Sequence, residues 1–234
     1  MKIKSLLFVV SALYTSLSQG AIVFTESFTY ANGPLISAAG SPWTTTSGAT
    51  PGQVDVASNV VNLTGVTETE DVAANFSSAS TFGTVAATMD VLFTALPTTT
   101  GNYFTHFKDS TLSGFRARVT SFTTGAGAGL FRLGISNDGG ATVPVPTDLA
   151  LNTTYAITFT WDFATSQSSL SIGGGTAVTD TDAATNLTFT SIGLRQSTNM
   201  GTLTVDNISV DAIPEPTTTL LGALGFLAIL RRRR

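Results

Sequence analysis

The chain has 234 residues, of which 42% are hydrophobic and only 11% are charged, enough for one β-rich domain with a real core and for short processing segments. Residues 21–213 contain five Lys and Arg against fourteen Asp and Glu, a formal charge of −9, so this body repels phosphate backbones and no nucleic-acid partner is expected. The chain has no Cys, which excludes thiolate catalysis, thiolate zinc sites and disulfides.

Residues 1–20 have the three parts of a secretory signal peptide. A positively charged start is followed by an apolar run and then by small residues at positions −3 and −1 of a cleavage site before Ala21. The residues that form these parts are Lys2, Lys4, 6–13, Ser18 and Gly20. A buried N-terminal helix is the alternative, but a strand-like pattern begins at Ile22. We therefore predict that the chain is exported.

Residues 21–211 have the pattern of short strands separated by turns. Apolar and polar residues alternate clearly in four segments, which are 115–119, 131–135, 155–161 and 203–210. No amphipathic helix of ten or more residues is apparent. This spacing predicts an antiparallel sandwich whose core includes Phe115, Phe131, Phe159 and Trp161.

The second half contains three strand-like motifs, Leu149-x-Leu151, Tyr155-x-Ile157-x-Phe159-x-Trp161 and Leu170-x-Ile172-Gly173. These motifs resemble those of concanavalin A-like and laminin-G-like jelly rolls. In addition, Phe24-x-Glu26-x-Phe28 and the segment 203–210 resemble the first and last strands of those folds, which lie side by side. The resemblance implies an all-β, antiparallel two-sheet jelly-roll sandwich over residues 21–211.

Concanavalin A-like folds include glycosidases, so a divergent glycan-cleaving hydrolase is the alternative function. Retaining glycosidases need two carboxylates about 5 Å apart. The nearest candidates are Glu68, Glu70 and Asp71, but no third acid follows at the expected spacing. His106 is the single histidine, and a lone surface or half-buried side chain fits it better than a member of a Ser-His-Asp triad. We therefore predict no catalytic residues and a protein that is not an enzyme.

Calcium is a possible ligand, because laminin-G-like domains often hold it with loop oxygens. Two segments offer such oxygens, the turn at Asn137 and Asp138 and the pair Asp180 and Asp182. Ordinary turns use the same residue types, because Asn, Asp and Gly tolerate turn conformations. We predict no cofactor and leave calcium open.

Three of the five basic residues of the body lie on strands with clear alternation. If Phe115, Ala117 and Val119 face the core, Arg116 and Arg118 face outward, and Arg132 is outward by the same rule. If their strands are neighbours, the three arginines share one face that suits an anionic glycan. The alternative is that they are ordinary solvated residues.

The C-terminal residues 212–234 contain three parts. The tripeptide Pro214-Glu215-Pro216 precedes an uncharged run, 217–230, and four arginines close the chain, Arg231, Arg232, Arg233 and Arg234. This order resembles a PEP-CTERM sorting signal, whose bearers are processed by membrane enzymes called exosortases. The resemblance implies a short transmembrane helix with its arginines in the cytoplasm. As a helix, the run is about 21 Å long, shorter than the roughly 30 Å of hydrocarbon in a bilayer.

Together these features predict a membrane-anchored precursor that reaches the cell surface or extracellular matrix. Its partners are an exosortase-like enzyme, the membrane and, through the sandwich, an extracellular polysaccharide. The function that we expect is structural or glycan-binding. We also expect Pro214, Glu215 and Pro216 to be extended, accessible and loosely tethered to the sandwich.

Overall fold

The computed structural model describes residues 20–48, 50–65, 69–110 and 115–214. The predicted signal peptide and the predicted transmembrane helix at 217–230 lie outside these residues, as do Glu215, Pro216 and the four terminal arginines. Within the described ranges, no helix is both long and apolar enough to cross a membrane.

The described part of the chain contains sixteen strands and one turn of 3-10 helix, Leu35–Ser37. The strands are β1 (Ala21–Glu26), β2 (Gly33–Pro34), β3 (Trp43–Ser47), β4 (Asp55–Ala57), β5 (Val60–Leu63), β6 (Asp71–Ser80), β7 (Thr84–Ala95), β8 (Asn102–Asp109), β9 (Phe115–Phe122), β10 (Arg132–Ser136), β11 (Val143–Pro144), β12 (Thr154–Asp162), β13 (Gln167–Ile172), β14 (Val178–Thr181), β15 (Phe189–Arg195) and β16 (Thr202–Ile213).

The strands form two antiparallel sheets, which confirms the predicted two-sheet sandwich. One sheet has nine strands in the order β14-β13-β12-β7-β16-β5-β4-β2, with β1 also paired to β16. The other has seven, in the order β11-β10-β9-β8-β15-β6-β3. The first and last strands are neighbours, as predicted, with Ala21 opposite Ala212 and Glu26 opposite Ile208.

Aromatic side chains fill the space between the sheets. The Phe107 ring lies 4.9 Å from that of Phe159 and 5.5 Å from that of Phe189, and the Trp161 ring lies 5.7 Å from Phe189. Phe131 is also fully buried. Each such side chain contributes roughly 1.5–3 kcal/mol by leaving water. Three of the four predicted core aromatics, Phe131, Phe159 and Trp161, are therefore confirmed.

The fourth prediction, that Phe115 enters the core, is wrong because β9 contains a bulge. Arg116 is opposite Phe107 and Val119 is opposite Thr105, so two residues of β9 face one residue of β8. Ala117, inside the bulge, has a φ of 51°. The extra residue shifts the alternation, which turns Arg116 toward the core and Phe115 outward.

The last strand runs directly into the predicted sorting tripeptide. β16 continues to Ile213, two residues beyond the predicted end of the sandwich at Asp211. Pro214 follows at once and is exposed. The described chain thus leaves no linker between the sandwich and the tripeptide.

Candidate functional site

The outer face of the seven-stranded sheet carries a row of five side chains, one from each of five adjacent strands. In spatial order they are Arg118 on β9, Tyr103 on β8, Arg195 on β15, Asp71 on β6 and Ser47 on β3, and we call them the Tyr103 row. Adjacent strands lie about 4.8 Å apart, so the row crosses roughly 19 Å of sheet.

Alternation along the strands explains why the row points outward. The chain neighbours Val72, Leu194 and Val119 are completely buried in the core. Successive side chains of a strand point to opposite faces, so the residues beside these three lie on the outer face. The row is therefore a consequence of core packing on the other side of the same strands.

Two guanidinium groups lie against the Tyr103 ring. The Cζ atom of Arg195 is 4.2 Å from the ring centroid and that of Arg118 is 4.9 Å from it. Such cation–π contacts hold a guanidinium in place and leave its N–H groups able to bind other atoms. Tyr103 is half-buried, and burial raises the pKa of its hydroxyl, so the ring stays uncharged at neutral pH.

Arg195 is tied to its neighbours on the row. Its Nη1 donates a hydrogen bond to Asn102 Oδ1 at 3.0 Å, and its Nε lies 3.7 Å from Asp71 Oδ1. The Ser47 hydroxyl donates to Asp71 Oδ2 at 2.6 Å. Burial raises the pKa of Asp71 above its ordinary value, although Ser47 and Arg195 oppose that rise. This end of the row is already paired.

Arg118, at the other end, has no such partner. Among the residues that the structure describes, the arginine–carboxylate pairs within 4.0 Å involve Arg116, Arg132 and Arg195 but not Arg118. Its Nε is buried and has no hydrogen-bond acceptor there. Burial lowers the pKa of Arg118, but arginine remains charged at neutral pH. A half-buried guanidinium that has no carboxylate within 4.0 Å attracts an anion.

An aromatic floor of Phe115 and His106 lies beside the Tyr103 row. The His106 ring is 4.4 Å from the Phe115 ring and 5.6 Å from the Tyr103 ring. It lies on Gly193 of the next strand, where a Cβ atom would come within 2.5 Å of His106 Cε1. Only glycine gives the imidazole this room.

The environment of His106 is that of a packed ring. Burial, with a smaller contribution from nearby Arg195, lowers the pKa of His106 to about 3, so the imidazole is neutral at physiological pH. Its Nδ1 has no hydrogen-bond partner within the described ranges. A histidine of a catalytic triad is oriented by a carboxylate at this atom. His106 is thus a packed and buried ring, 4% exposed, and not the surface or half-buried side chain that the sequence predicted.

Arg116 does not lie on the outer face, so the prediction of three outward arginines is wrong. The β9 bulge places Arg116 inside the rim of the sandwich, where its side chain is 5% exposed. Its Nε lies 2.5 Å from Asp182 Oδ2, and its Nη1 lies 3.4 Å from Asp138 Oδ2. Arg116 and Arg118 thus project to opposite sides of one sheet.

The two segments that were candidates for calcium, at Asn137 and Asp138 and at Asp180 and Asp182, meet around Arg116. Asn137 Nδ2 donates to Asp180 Oδ2 at 2.9 Å, and Asp138 and Asp182 face the guanidinium. No group of three or more His, Cys, Asp and Glu suited to a metal ion occurs within the described residues. A calcium ion at this place would compete with the buried Arg116 for the carboxylates of Asp138 and Asp182.

Arg132 faces outward, as predicted, but it lies away from Arg118 and is paired. Arg132 is opposite Phe122, whereas Arg118 is opposite Ser136, four residues further along β10. This offset corresponds to about 13 Å along the strand. The Arg132 Nε lies 2.5 Å from Asp148 Oδ1. Arg132 is thus not part of the Tyr103 row.

Glu70, a carboxylate considered for the hydrolase alternative, holds the loop before β4. Its Oε2 accepts hydrogen bonds from the backbone N–H groups of Gly52, Gln53 and Val54 at 2.9, 2.7 and 2.9 Å. Its Oε1 accepts one from the Thr45 hydroxyl at 2.5 Å. Glu70 is completely buried, Asp71 belongs to the outer Tyr103 row, and Glu68 lies outside the described residues.

Tyr103 and Arg195 were not among the predicted site residues. The scarcity of basic residues could have pointed to Arg195, because residues 21–213 contain only five of them. Arg195 is the last residue of β15. The pairing of β8 with both β9 and β15, which brings Arg118, Tyr103 and Arg195 together, leaves no local sequence signal.

Comparison with known proteins supports the C-terminal prediction. Residues 212–234 match the model of the PEP-CTERM protein-sorting motif. This match covers the predicted tripeptide and the four terminal arginines. No curated protein matches the chain.

Solved structures with a similar fold include enzymes and other modules. Beta-agarase B from Zobellia galactanivorans has a TM-score of 0.56 and 9% identity, covering 86% of this chain and 96% of that one. The CBM2 module of Lactobacillus casei BL23 phage J-1 evolved Dit has a TM-score of 0.54 and 11% identity, covering 85% and 98%. A sialidase has a TM-score of 0.52 and 14% identity, covering 79% of this chain.

This chain spans only 18% of that sialidase. At such identities the similarity concerns the fold alone, a jelly-roll sandwich consistent with a concanavalin A-like domain.

Proposed function

We propose that this chain is the precursor of an exported surface protein that binds an acidic polysaccharide without cleaving it. The C-terminal segment would hold the precursor in the membrane, and an exosortase-like enzyme would then release the sandwich to the cell surface or extracellular matrix. The match of residues 212–234 to the sorting motif supports this route.

The binding site that we propose is the Tyr103 row, and Arg118 is the observation that carries it. A guanidinium presents a planar fork of donors that fits a carboxylate or sulfate group. The guanidinium of Arg118 lies against the Tyr103 ring and has no carboxylate within 4.0 Å among the described residues. Tyr103 and Phe115 offer apolar ring surface next to that cation.

The charges along the Tyr103 row favour one orientation of the ligand. Asp71, next to Ser47 near the end opposite Arg118, would repel an anionic group, whereas Arg118 would attract one. The acidic group of the glycan therefore belongs at the Arg118 end. Hydroxyl groups suit the other end, where Ser47 is exposed and its oxygen, which donates to Asp71, can still accept a hydrogen bond.

Binding can be tested with the sandwich, residues 21–213, on polymers of uronic acid and on the same polymers with their carboxyl groups reduced to alcohols. We expect binding to the acidic polymers only. Arg118→Gln should weaken it about tenfold or more, since a charge-assisted hydrogen bond contributes about 1.5–3 kcal/mol. Arg132→Gln is the matched control and should change little. Equal binding to both polymers, or equal losses in both variants, would refute the proposal.

The same mixtures test the enzymatic alternative. New reducing ends released from any polymer would show a hydrolase. We expect none, because Glu70 is engaged by three backbone N–H groups and a hydroxyl, and Asp71 lies on the opposite side of the strand.

Sorting can be tested separately by mass spectrometry of the surface-associated protein. We expect the mature protein to lack 217–230 and the arginines that follow. Recovery of the protein with Arg234 still attached, in cells with an active exosortase, would refute the cleavage step.

A further inference from the structure

Exposed large hydrophobic side chains are concentrated at one end of the sandwich. Ile22 and Phe82 are 64% and 63% exposed, and Ile213 is 38% exposed. In the described part of the chain, the remaining large hydrophobic residue of comparable exposure is Leu96, at 39%. The first three residues are here called the apolar tip.

Strand pairing places the apolar tip at the end where the chain continues toward its C-terminus. Ile213 is opposite Thr84, the first residue of β7, and Phe82 lies in the turn just before that residue. Ile22 is on β1, opposite Asp211. Leu96 follows the last residue of β7, so about 37 Å of strand separates it from the tip.

The sequence beyond Ile213 brings this end close to the apolar run. Three residues, Pro214, Glu215 and Pro216, separate Ile213 from 217–230. Even when fully extended, the chain from Ile213 to Thr217 reaches only about 14 Å. The headgroup layer on one side of a bilayer is roughly 5–8 Å thick.

The length of 217–230 also limits how far Ile213 can lie from the membrane. A helix of the 14 residues in 217–230 is about 21 Å long, whereas the hydrocarbon layer is about 30 Å thick. A short helix draws its flanking residues toward the hydrocarbon or thins the bilayer. Both responses pull Ile213 toward the lipid.

We infer that the apolar tip rests on the lipid surface while the precursor is anchored, and so holds Pro214-Glu215-Pro216 at the membrane face. This inference depends on the membrane anchoring proposed above. The contact is apolar, because residues 21–213 carry a formal charge of −9 and would be repelled by anionic lipids. A phosphatidylcholine surface, which is zwitterionic and has no net charge, is therefore a sufficient partner.

The anchored end also includes the predicted N-terminus of the mature protein. A Cβ atom on Gly20 would lie 2.9 Å from Ile213 Cγ1, so the predicted signal-peptide junction lies beside the last residue of β16. Both predicted processing sites thus lie at the same end of the sandwich. An orientation with the apolar tip on the membrane presents both junctions to membrane enzymes.

The test uses residues 21–234, the precursor after the predicted removal of the signal peptide, so that 217–230 is the segment that anchors it. The protein is placed in phosphatidylcholine vesicles that contain brominated lipid, which quenches nearby tryptophan. Two single variants, Phe82→Trp and Leu96→Trp, place a reporter at the apolar tip and at the opposite end. The native Trp43 and Trp161 are 2% and 1% exposed, and the unsubstituted chain gives their contribution. We expect the Phe82→Trp emission to shift to the blue and to be quenched, in low and high salt alike, and the Leu96→Trp emission to be unaffected.

Equal quenching of both reporters, or none at Phe82→Trp in a chain that floats with the vesicles, would overturn the inference and leave the anchor intact. A blue shift at Phe82→Trp without quenching would indicate association between copies and would also overturn it. Failure of the chain to float with vesicles would refute the proposed anchor and the docking with it. Glycan binding is measured on residues 21–213 and is independent of all these outcomes.

A second variant measures the strength of the contact. Full burial of a phenylalanine side chain contributes roughly 1.5–3 kcal/mol, so Phe82→Ser should lower the ratio of docked to undocked sandwich about tenfold. The ratio is read from the quenching of a reporter at Ile22→Trp. Leu96→Ser is the control, and an equal effect of the two serine variants would contradict the inference.

Discussion

Replacing Glu70 with glutamine separates a structural role for this carboxylate from a catalytic one. Glu70 is buried and accepts hydrogen bonds from three backbone N–H groups and the Thr45 hydroxyl. Glutamine has nearly the same shape and can still accept the N–H bonds through its amide oxygen, but it lacks the charge. Hydrogen bonds to charged groups contribute about 1.5–3 kcal/mol and neutral ones about 0.5–1.5 kcal/mol. Losing about 1 kcal/mol at each of three bonds costs about 3 kcal/mol.

The predicted loss is large enough to measure by thermal unfolding of residues 21–213. For a domain of this size, each kcal/mol shifts Tm by about 2–4 °C, so Glu70→Gln should lower Tm by roughly 6–12 °C. Asp148→Asn is the matched control, because Asp148 is on the surface and bonds to Gly127 and Arg132. Its Tm should change little.

The Glu70 effect should also depend on pH. Burial raises the pKa of Glu70, but the hydrogen bonds from Thr45 and from the three backbone N–H groups outweigh burial, and the net pKa lies below its ordinary value. A carboxylate with a lowered folded pKa stabilises the protein above its unfolded pKa of about 4.3, and this stability is lost as the pH falls through the folded pKa.

The difference in Tm between native protein and Glu70→Gln should therefore be full at pH 7 and shrink below pH about 4. A difference that stays constant across this range, or an unchanged Tm at pH 7, would refute the reasoning.

Three further predictions concern buried groups. Arg116→Met should lower the free energy of unfolding, measured in urea, by about 3 kcal/mol, because Asp182 loses its ion-pair partner. The double variant Arg116→Met/Asp182→Leu should recover most of this loss, and a larger loss in the double variant would contradict the prediction. Gly193→Ala should lower the free energy of unfolding in urea by about 1–3 kcal/mol, because the added Cβ atom meets the His106 ring. Adding His106→Ala should relieve this loss, and additive losses in the double variant would argue against the contact. The pKa of His106 is lowered to about 3, so its NMR signals should not titrate between pH 8 and 5, and a titration near pH 6.5 would refute this. The unfolded chain binds the proton at a higher pH than the folded protein does. The free energy of unfolding should therefore fall by up to about 1.4 kcal/mol per pH unit as the pH drops from about 6.5 toward 3.

The sequence alone determined the properties that depend on local pattern. Alternation in 155–161 fixed the core positions of Phe159 and Trp161, since a strand places every second side chain on one face. The order of tripeptide, apolar run and terminal arginines identified the sorting motif, because the motif is contiguous in the chain. The side-by-side placement of the first and last strands came from a resemblance and is confirmed by the pairing of β1 with β16.

The tertiary structure decided which side chains meet. A single extra residue in β9 turned Arg116 from an expected surface ligand into a buried ion-pair partner of Asp182, and a one-residue shift exchanges the faces of a strand. Arg118, Tyr103 and Arg195 come from three strands, and Arg195 is 77 positions beyond Arg118 in the sequence. Their meeting depends on which strands pair across the sheet, and that pairing is set by the packing of the whole core rather than by any segment of the chain.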